Sequence, residues 1–308
     1  MKTLALPQTD LTASSIVLGL MRIPDMSDEE IRTLVRSAID EGVTMFDHAD
    51  VYGGDHLCER RFGDAMGLTP TERDRMVLQS KVGIRDGYWD FSTEHIMESV
   101  DESLAALRTD HLDVLLLHRP DALVEPDEVA SAFDALEQSG KVLHFGVSNH
   151  TPLQVELLKR SVRQPLAFNQ VQLSITHANL VAQGVASNMA ALDQSIDRDN
   201  GIVDYARING ITLQAWSPYQ AGFFTGSFID DRETYPELND VLDELAGVHD
   251  VTPTGIATAW ILRHPADWQV VLGTTKPERV REAAAASEVR LTRPEWYRLF
   301  AAAGHTVP

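Results

Sequence analysis

Short runs of β-branched and leucine-type residues alternate along this chain with longer stretches whose apolar residues recur every three or four positions. The first pattern predicts strands and the second amphipathic helices. Strands are expected at SIVLGLM (15–21), VTMFDHA (43–49), MVLQSKV (76–82), DVLLLH (113–118), VLHFGVSN (142–149), AFNQVQLS (167–174), ITLQAWS (211–217) and WQVVLGT (268–274). Runs such as DVLLLH are apolar on both faces, which suits a parallel sheet covered by helices. The stretch between the first two strands shows how the helices are punctuated. Ser27 is placed to cap a helix, Glu30 answers it three residues later, and Ile31, Leu34, Val35, Ala38 and Ile39 share one face before Gly42. Thr151 ahead of Pro152 and Thr292 ahead of Pro294 open later helices, and Gly140 closes the one through Val129, Phe133 and Leu136.

Strand–helix units joined by right-handed crossovers close into a (β/α)8 TIM barrel, with a doubly wound open sheet as the alternative. A single barrel domain spanning residues 1–308 is expected, since no Pro/Ser/Gly linker or further repeat divides the chain. The segment TLALPQTDLT before the first strand predicts a short N-terminal β-hairpin that plugs the base. Two stretches exceed plain connectors: 175–201, and 219–236, YQAGFFTGSFIDDRETYP. Glycine and aromatic residues make the second a candidate flap over a ligand.

Composition narrows the function classes. Hydrophobic residues at 44% and charged residues at 23% describe a globular chain, and its apolar runs are too short to cross a bilayer. The N-terminus lacks a long apolar leader, so a cytoplasmic protein is the default expectation. A formal charge of -20 repels nucleic acid and anionic lipid, and neither is expected as a partner. The lone Cys58 has no cysteine to pair with and reads as a small apolar filler. An anionic cofactor would need a local basic cluster, for which KPERVR at Lys276 to Arg281 is the candidate.

In a parallel barrel the carboxyl ends of the strands share one mouth, where active sites are built. The second expected strand ends in Asp47 and leads to Tyr52, the third ends near Lys81, and the fourth ends at His118. A tyrosine with an ordinary pKa near 10 is a poor acid or base unless a cation stabilises its phenolate. Lys81 is placed to do so, Asp47 to hold the ammonium charged, and His118 to hold the reacting oxygen. GxSxG, HExxH and P-loop patterns are missing from the chain.

This constellation, together with FDHADVYG, LQSKVG, LLLHRPD, GKVLHFGVSN, FNQVQLS, AWSP and GTTKPERV in that order, resembles the aldo-keto reductases. DHADVYGG and TDHLDVLLLHRPD look most like a bacterial branch of oxidoreductases in that family. The resemblance implies reduction of aldehyde or ketone carbonyls by hydride from NADPH (yielding NADP+), with Tyr52 as general acid and Asp47, Lys81 and His118 completing a catalytic tetrad. It further implies that Ser148, Asn149 and Gln170 hold the nicotinamide carboxamide and that Trp216 stacks on the ring. Ser217 and its loop would meet the pyrophosphate, Thr274, Lys276 and Arg279 the 2'-phosphate, and Glu282 the adenine.

The chain departs from that pattern in places. His48 replaces the usual threonine after the tetrad aspartate and is expected to pack beneath the site. Ala283 stands where an asparagine is usual, which removes one adenine contact. Leu20, Met21 and Arg22 give an atypical pocket wall, to which Trp89, Phe223, Phe224 and the segment after His118 are expected to contribute. A small-molecule carbonyl substrate and a monomer or weak homo-oligomer are implied. Two other readings stand beside this one: a nucleotide-binding regulatory or redox-sensing subunit with little turnover, and a metal-dependent barrel hydrolase using Asp47, His48, Asp50 and His118 as ligands.

Overall fold

A computed structural model describes residues 1–307. Two short strands, β1 (Thr3–Ala5) and β2 (Thr12–Ser14), pair antiparallel as the expected hairpin. Eight more strands follow: β3 (Ile16–Gly19), β4 (Met45–Asp47), β5 (Val77–Val82), β6 (Leu112–Leu117), β7 (Val142–Ser148), β8 (Leu166–Gln172), β9 (Thr212–Trp216) and β10 (Gln269–Leu272). All pair in parallel in chain order, and β10 returns to β3 to close the barrel. The expected strands are all present, each expected run being as long as the observed strand or up to four residues longer. The open-sheet alternative is thereby set aside.

Period-two alternation sorts each strand into an outer and an inner set. On β5 the outward Leu78 and Val82 join the cluster between strands and helices. The inward Val77 joins a separate cluster with Val17, Met45, Val114, Leu116, Phe168 and Val271, against which Leu4, Leu6 and Ala13 of the hairpin pack. Apolar side chains from the plug therefore close the barrel base.

The helices follow their punctuation. Ser27 caps Asp28–Asp40 in a full capping box with Glu30, and Ile31, Leu34, Val35 and Ala38 are buried. Thr151 and Thr292 form capping boxes with Gln154 and Glu295. One helix had no periodic signal: Pro253–Leu262 is buried from Thr254 onward. Its Trp260 stacks on Trp296 of the last helix with centroids 4.8 Å apart and planes 8° from parallel. Each indole N–H donates to the other tryptophan's carbonyl, at 3.2 and 3.0 Å. A helix buried on every side carries no stripe for a sequence to display.

The stretch 175–201 folds into the helix Asn179–Val185 and a single turn at Asp193–Ser195, and none of its residues lines the cleft at the barrel mouth. The stretch 219–236 behaves as expected in position. Ala221 N–H donates to Gly226 O at 2.8 Å, Phe228 is fully buried, and Phe223 and Phe224 reach over the mouth. Among the described residues no helix is long and apolar enough to cross a membrane.

Candidate active site

The alternation that places Val77 in the plug cluster raises Gln79 and then Lys81 up the same inner face of β5. On β4 it raises Asp47 above Met45. The Lys81 ammonium, wholly buried, donates to both Asp47 carboxylate oxygens at 2.7 Å, to His48 O at 2.9 Å and to the Tyr52 hydroxyl at 3.1 Å. Burial alone would lower the Lys81 pKa, but Asp47 and Tyr52 more than offset it and the ammonium is held charged. Burial lifts the Tyr52 phenol above its ordinary value, and Lys81 only partly counters this. The phenol therefore keeps its proton at neutral pH.

Tyr52 reaches this position through a tight loop. Its N–H donates to Ala49 O at 3.1 Å, Gly54 N–H donates to Val51 O at 2.9 Å, and Cys58 N–H donates to Tyr52 O at 3.1 Å. Gly53 has φ +73°, and a Cβ there would sit 3.2 Å from both Cys58 Sγ and Leu57 Cβ. The loop is pinned from behind by a buried carboxylate that sequence reading passed over. Glu59 accepts from Ser80 and Ser103 and pairs with His56 Nδ1 at 2.5 Å. Asp50 accepts from Ser99 at 3.2 Å, and burial followed by the charge of Glu59 pushes its pKa up to about 6. The available signal was the triplet of ionisable residues Asp50, His56 and Glu59 on one short apolar-flanked segment.

His118 follows β6 directly, its ring T-shaped to Tyr52 with centroids 5.7 Å apart. Burial, then the charges of Lys81 and Arg119, push its pKa well below the ordinary value, so the imidazole is neutral. His48 turns the other way. It lies edge-on to Phe62 at 4.8 Å, fully buried, with neither ring nitrogen partnered and its pKa lowered to about 4 by burial. It packs beneath the site. The four ligands of the hydrolase reading do not converge: Asp47 is bonded to Lys81, Asp50 to Ser99, and His48 faces Phe62. Among the described residues no three His, Cys, Asp or Glu side chains gather to hold a metal ion.

Below the tetrad, parallel register aligns glutamines across the barrel interior. Gln170 lies opposite Gln214 and Gln214 opposite Gln269. Gln79 and Gln170 each donate to Asp47 Oδ1, at 2.5 and 2.9 Å, and to Gln214 Oε1, at 2.9 and 3.0 Å. Gln214 donates to Gln269 at 3.0 Å, and Gln269 donates to Ser14 O at 2.9 Å beside the hairpin. Of these, sequence reading named only Gln170. The others stand two residues from inward-facing positions, Gln79 from Lys81 and Gln214 from Trp216, which was the sign of a shared face.

A cleft of about 750 Å³ opens above the tetrad. Asp47, Tyr52, His118, Ser148, Asn149, Gln170, Trp216, Ser217, Thr274, Lys276 and Arg279 all line it. Lys81 lies behind Asp47. Asn149 and Ser217, each just past a strand, take φ of +61° and +52°. Such a conformation is uncommon for serine and typical of functional loops. Asn149 donates to Ser148 Oγ at 2.8 Å and accepts from the Trp216 indole at 3.1 Å, fixing the ring's edge. At the far end, Lys276 sits at the start of helix Pro277–Ala285, whose first turn has no side-chain cap. Glu282 does not line the cleft, and Ala283 is buried in the core. Of the expected wall, Met21, Arg22, Phe223 and Phe224 line the cleft. Leu20 is fully buried in the core instead, and Trp89 is exposed and outside the lining, whereas its bridge partner Ile84 lines the cleft.

A barrel whose mouth holds a buried Asp–Lys–Tyr relay beside a neutral histidine and a long, partly cationic cleft has the form of an oxidoreductase. The model of the Aldo/keto reductase family matches residues 15–303, and the chain belongs to that family. It is 38% identical to the oxidoreductase YdhF of Escherichia coli, over 96% of this chain and 95% of that one. It is 33% identical to a 6-dehydroglucose reductase of Agrobacterium fabrum, over 94% of each. An aldo/keto reductase from Klebsiella pneumoniae, solved in complex with NADP and acetate, superposes with a TM-score of 0.74 at 25% identity, over 97% of this chain and 94% of that one.

Proposed function

We propose that this protein is an NADPH-dependent reductase of aldehyde or ketone carbonyls in which Tyr52 is the general acid. The observation that carries the reading is the buried Lys81 ammonium, 3.1 Å from the Tyr52 hydroxyl and 2.7 Å from both oxygens of Asp47.

The residues of the cleft fit the cofactor. Trp216 offers a flat wall, Ser148, Asn149 and Gln170 offer amide and hydroxyl partners for a carboxamide, and Ser217 begins the loop that would follow the pyrophosphate. Lys276, Arg279 and Thr274 beside a helix N-terminus offer charge and donors for a 2'-phosphate. Glu282, on the same helix as Arg279 and near Tyr219 of the flap, is the candidate for the adenine end. Bound NADPH supplies the hydride.

The chain's own residues handle the proton. The protonated phenol of Tyr52 gives its hydrogen to the carbonyl oxygen as that oxygen gains charge. Lys81, kept charged by Asp47, stabilises the phenolate left behind. Neutral His118 donates a hydrogen bond to the same oxygen and is too weak a base to take the proton from Tyr52. The two glutamine donors on Asp47 help hold the carboxylate against Lys81.

Consumption of NADPH with an activated aromatic aldehyde, followed by absorbance at the reduced nicotinamide band, tests the reading. Tyr52→Phe should abolish turnover while NADPH still quenches protein fluorescence. Full turnover by that variant, or none by the wild type across aldehydes and dicarbonyls, refutes it.

A further inference from the structure

The chain carries 46 Asp and Glu against 26 Lys and Arg, yet the cleft reverses that balance. Its lining includes four cations, Arg22, Arg119, Lys276 and Arg279, and one carboxylate, Asp47, which is already bonded to Lys81. Among the described residues none of these three arginines has a carboxylate within ion-pair distance, whereas arginines elsewhere such as Arg36, Arg61, Arg73, Arg232 and Arg298 do. Lys276 and Arg279 lie at the cofactor end. Arg119 lies at the reaction end, next in sequence to His118.

The placement of Arg119 is specific. Its guanidinium carbon stands 5.6 Å from the Trp216 ring centre and 5.9 Å from that of Phe223. Those two rings meet T-shaped at 6.1 Å, so the guanidinium sits where the β9 wall and the flap close on each other. Burial draws its pKa down, and the nearby Tyr52 phenol acts against this. A partly dehydrated guanidinium without a counter-ion is unfavourable, and pairing with an anion makes it favourable. Its planar fork matches a carboxylate or a phosphate in two-point contact.

We propose that Arg119 makes this cleft selective for carbonyl compounds that carry an anionic group, a carboxylate or a phosphate, on the same molecule. The inference rests on the reductase reading above and adds a substrate class to it. Arg119 binds the anionic group while the carbonyl oxygen faces Tyr52 and His118. Arg22, exposed in the lining of the same cleft, adds longer-range attraction. Phe223, packed on both Arg119 and Trp216, then screens the pair from water and strengthens it.

Matched substrates test this: 4-carboxybenzaldehyde against methyl 4-formylbenzoate, and glyceraldehyde 3-phosphate against glyceraldehyde, each with saturating NADPH. The wild type should favour the charged member of at least one pair in kcat/KM, and the pair that responds tells carboxylate from phosphate. Arg119→Gln should reduce that charged-to-neutral ratio by about thirtyfold or more, chiefly through KM, and Arg119→Lys should keep part of it. If Arg119 only braces the flap, Arg119→Gln lowers both members of each pair by the same factor, and the proposal fails. It also fails if the wild type shows no preference for charge while reducing the neutral aldehydes well, a result that leaves the reductase reading standing. No turnover of any member overturns both.

Discussion

Replacing Lys81 by methionine removes the group on which the site converges while keeping most of its volume. Four hydrogen bonds are lost: two to Asp47 at 2.7 Å, one to His48 O at 2.9 Å and one to Tyr52 at 3.1 Å. Asp47, only 2% exposed, is left with the amide donors of Gln79 and Gln170 and no counter-charge. Breaking a buried pair from one side costs about 3–5 kcal/mol, a large part of the 5–15 kcal/mol by which domains are ordinarily stable. Urea unfolding followed by far-UV circular dichroism should therefore show a lower midpoint, corresponding to a free-energy loss of that size, with little change in slope. Adding Asp47→Asn removes the orphaned charge. The double variant should be more stable than the sum of the single losses predicts, by about 2 kcal/mol. With the phenolate no longer stabilised, kcat for an aldehyde should fall by about 10²–10⁴-fold, the usual contribution of a general acid. A loss under about 1 kcal/mol, or additivity within about 0.5 kcal/mol, would refute the view that Lys81 and Asp47 act as one unit.

Three further outcomes are expected. Lys276→Ala with Arg279→Ala should weaken NADPH binding by about tenfold or more while changing NADH binding much less, read by fluorescence titration; equal losses would remove both residues from the 2'-phosphate. Gly83→Ala should destabilise the chain by at least about 2 kcal/mol in the same urea assay, because φ there is +116° and the new Cβ would lie 2.0 Å from a carbon of Phe91. The third concerns acid. His48 and His150, both buried, have pKa values lowered to about 4, so the unfolded chain binds more protons than the folded one between about pH 6.5 and 4. Stability should fall as pH drops through that window, by at most about 3 kcal/mol for each imidazole. Asp50, raised to about 6, acts in the opposite sense between that value and its ordinary one near 3.8. His48→Leu should flatten the acid side of the stability profile, and an unchanged profile would count against a neutral buried imidazole.

Strands were legible because each is a compact apolar run, and the rule that the carboxyl ends of barrel strands share one mouth brought Asp47 and Lys81 together. Their ends were less so. VTMFDHA continues as extended-looking sequence, but pairing stops at Asp47, where the chain leaves for the Tyr52 loop. The tetrad residues come together because each closes or follows a strand whose end a sequence can mark. The glutamines of the interior read as polar interruptions, since only register shows Gln170, Gln214 and Gln269 to be neighbours. The company of Arg119 was hidden for the same reason: LLLHRPD contains it, while Trp216 and Phe223 arrive from β9 and the flap. The balance between burial and Lys81 at the Tyr52 phenol depends on depth in the barrel, which no spacing in the sequence expresses.

The amide chain that runs from Asp47 through Gln214 and Gln269 to Ser14 fastens the proton-handling group to the foundation of the barrel, not to its rim. Met21, Arg22, Phe223 and Phe224 hang from connections that take no part in that chain. The rim is thus an interchangeable part. Loops grafted from a relative could give the molecule new tastes in substrate while the relay beneath keeps its alignment.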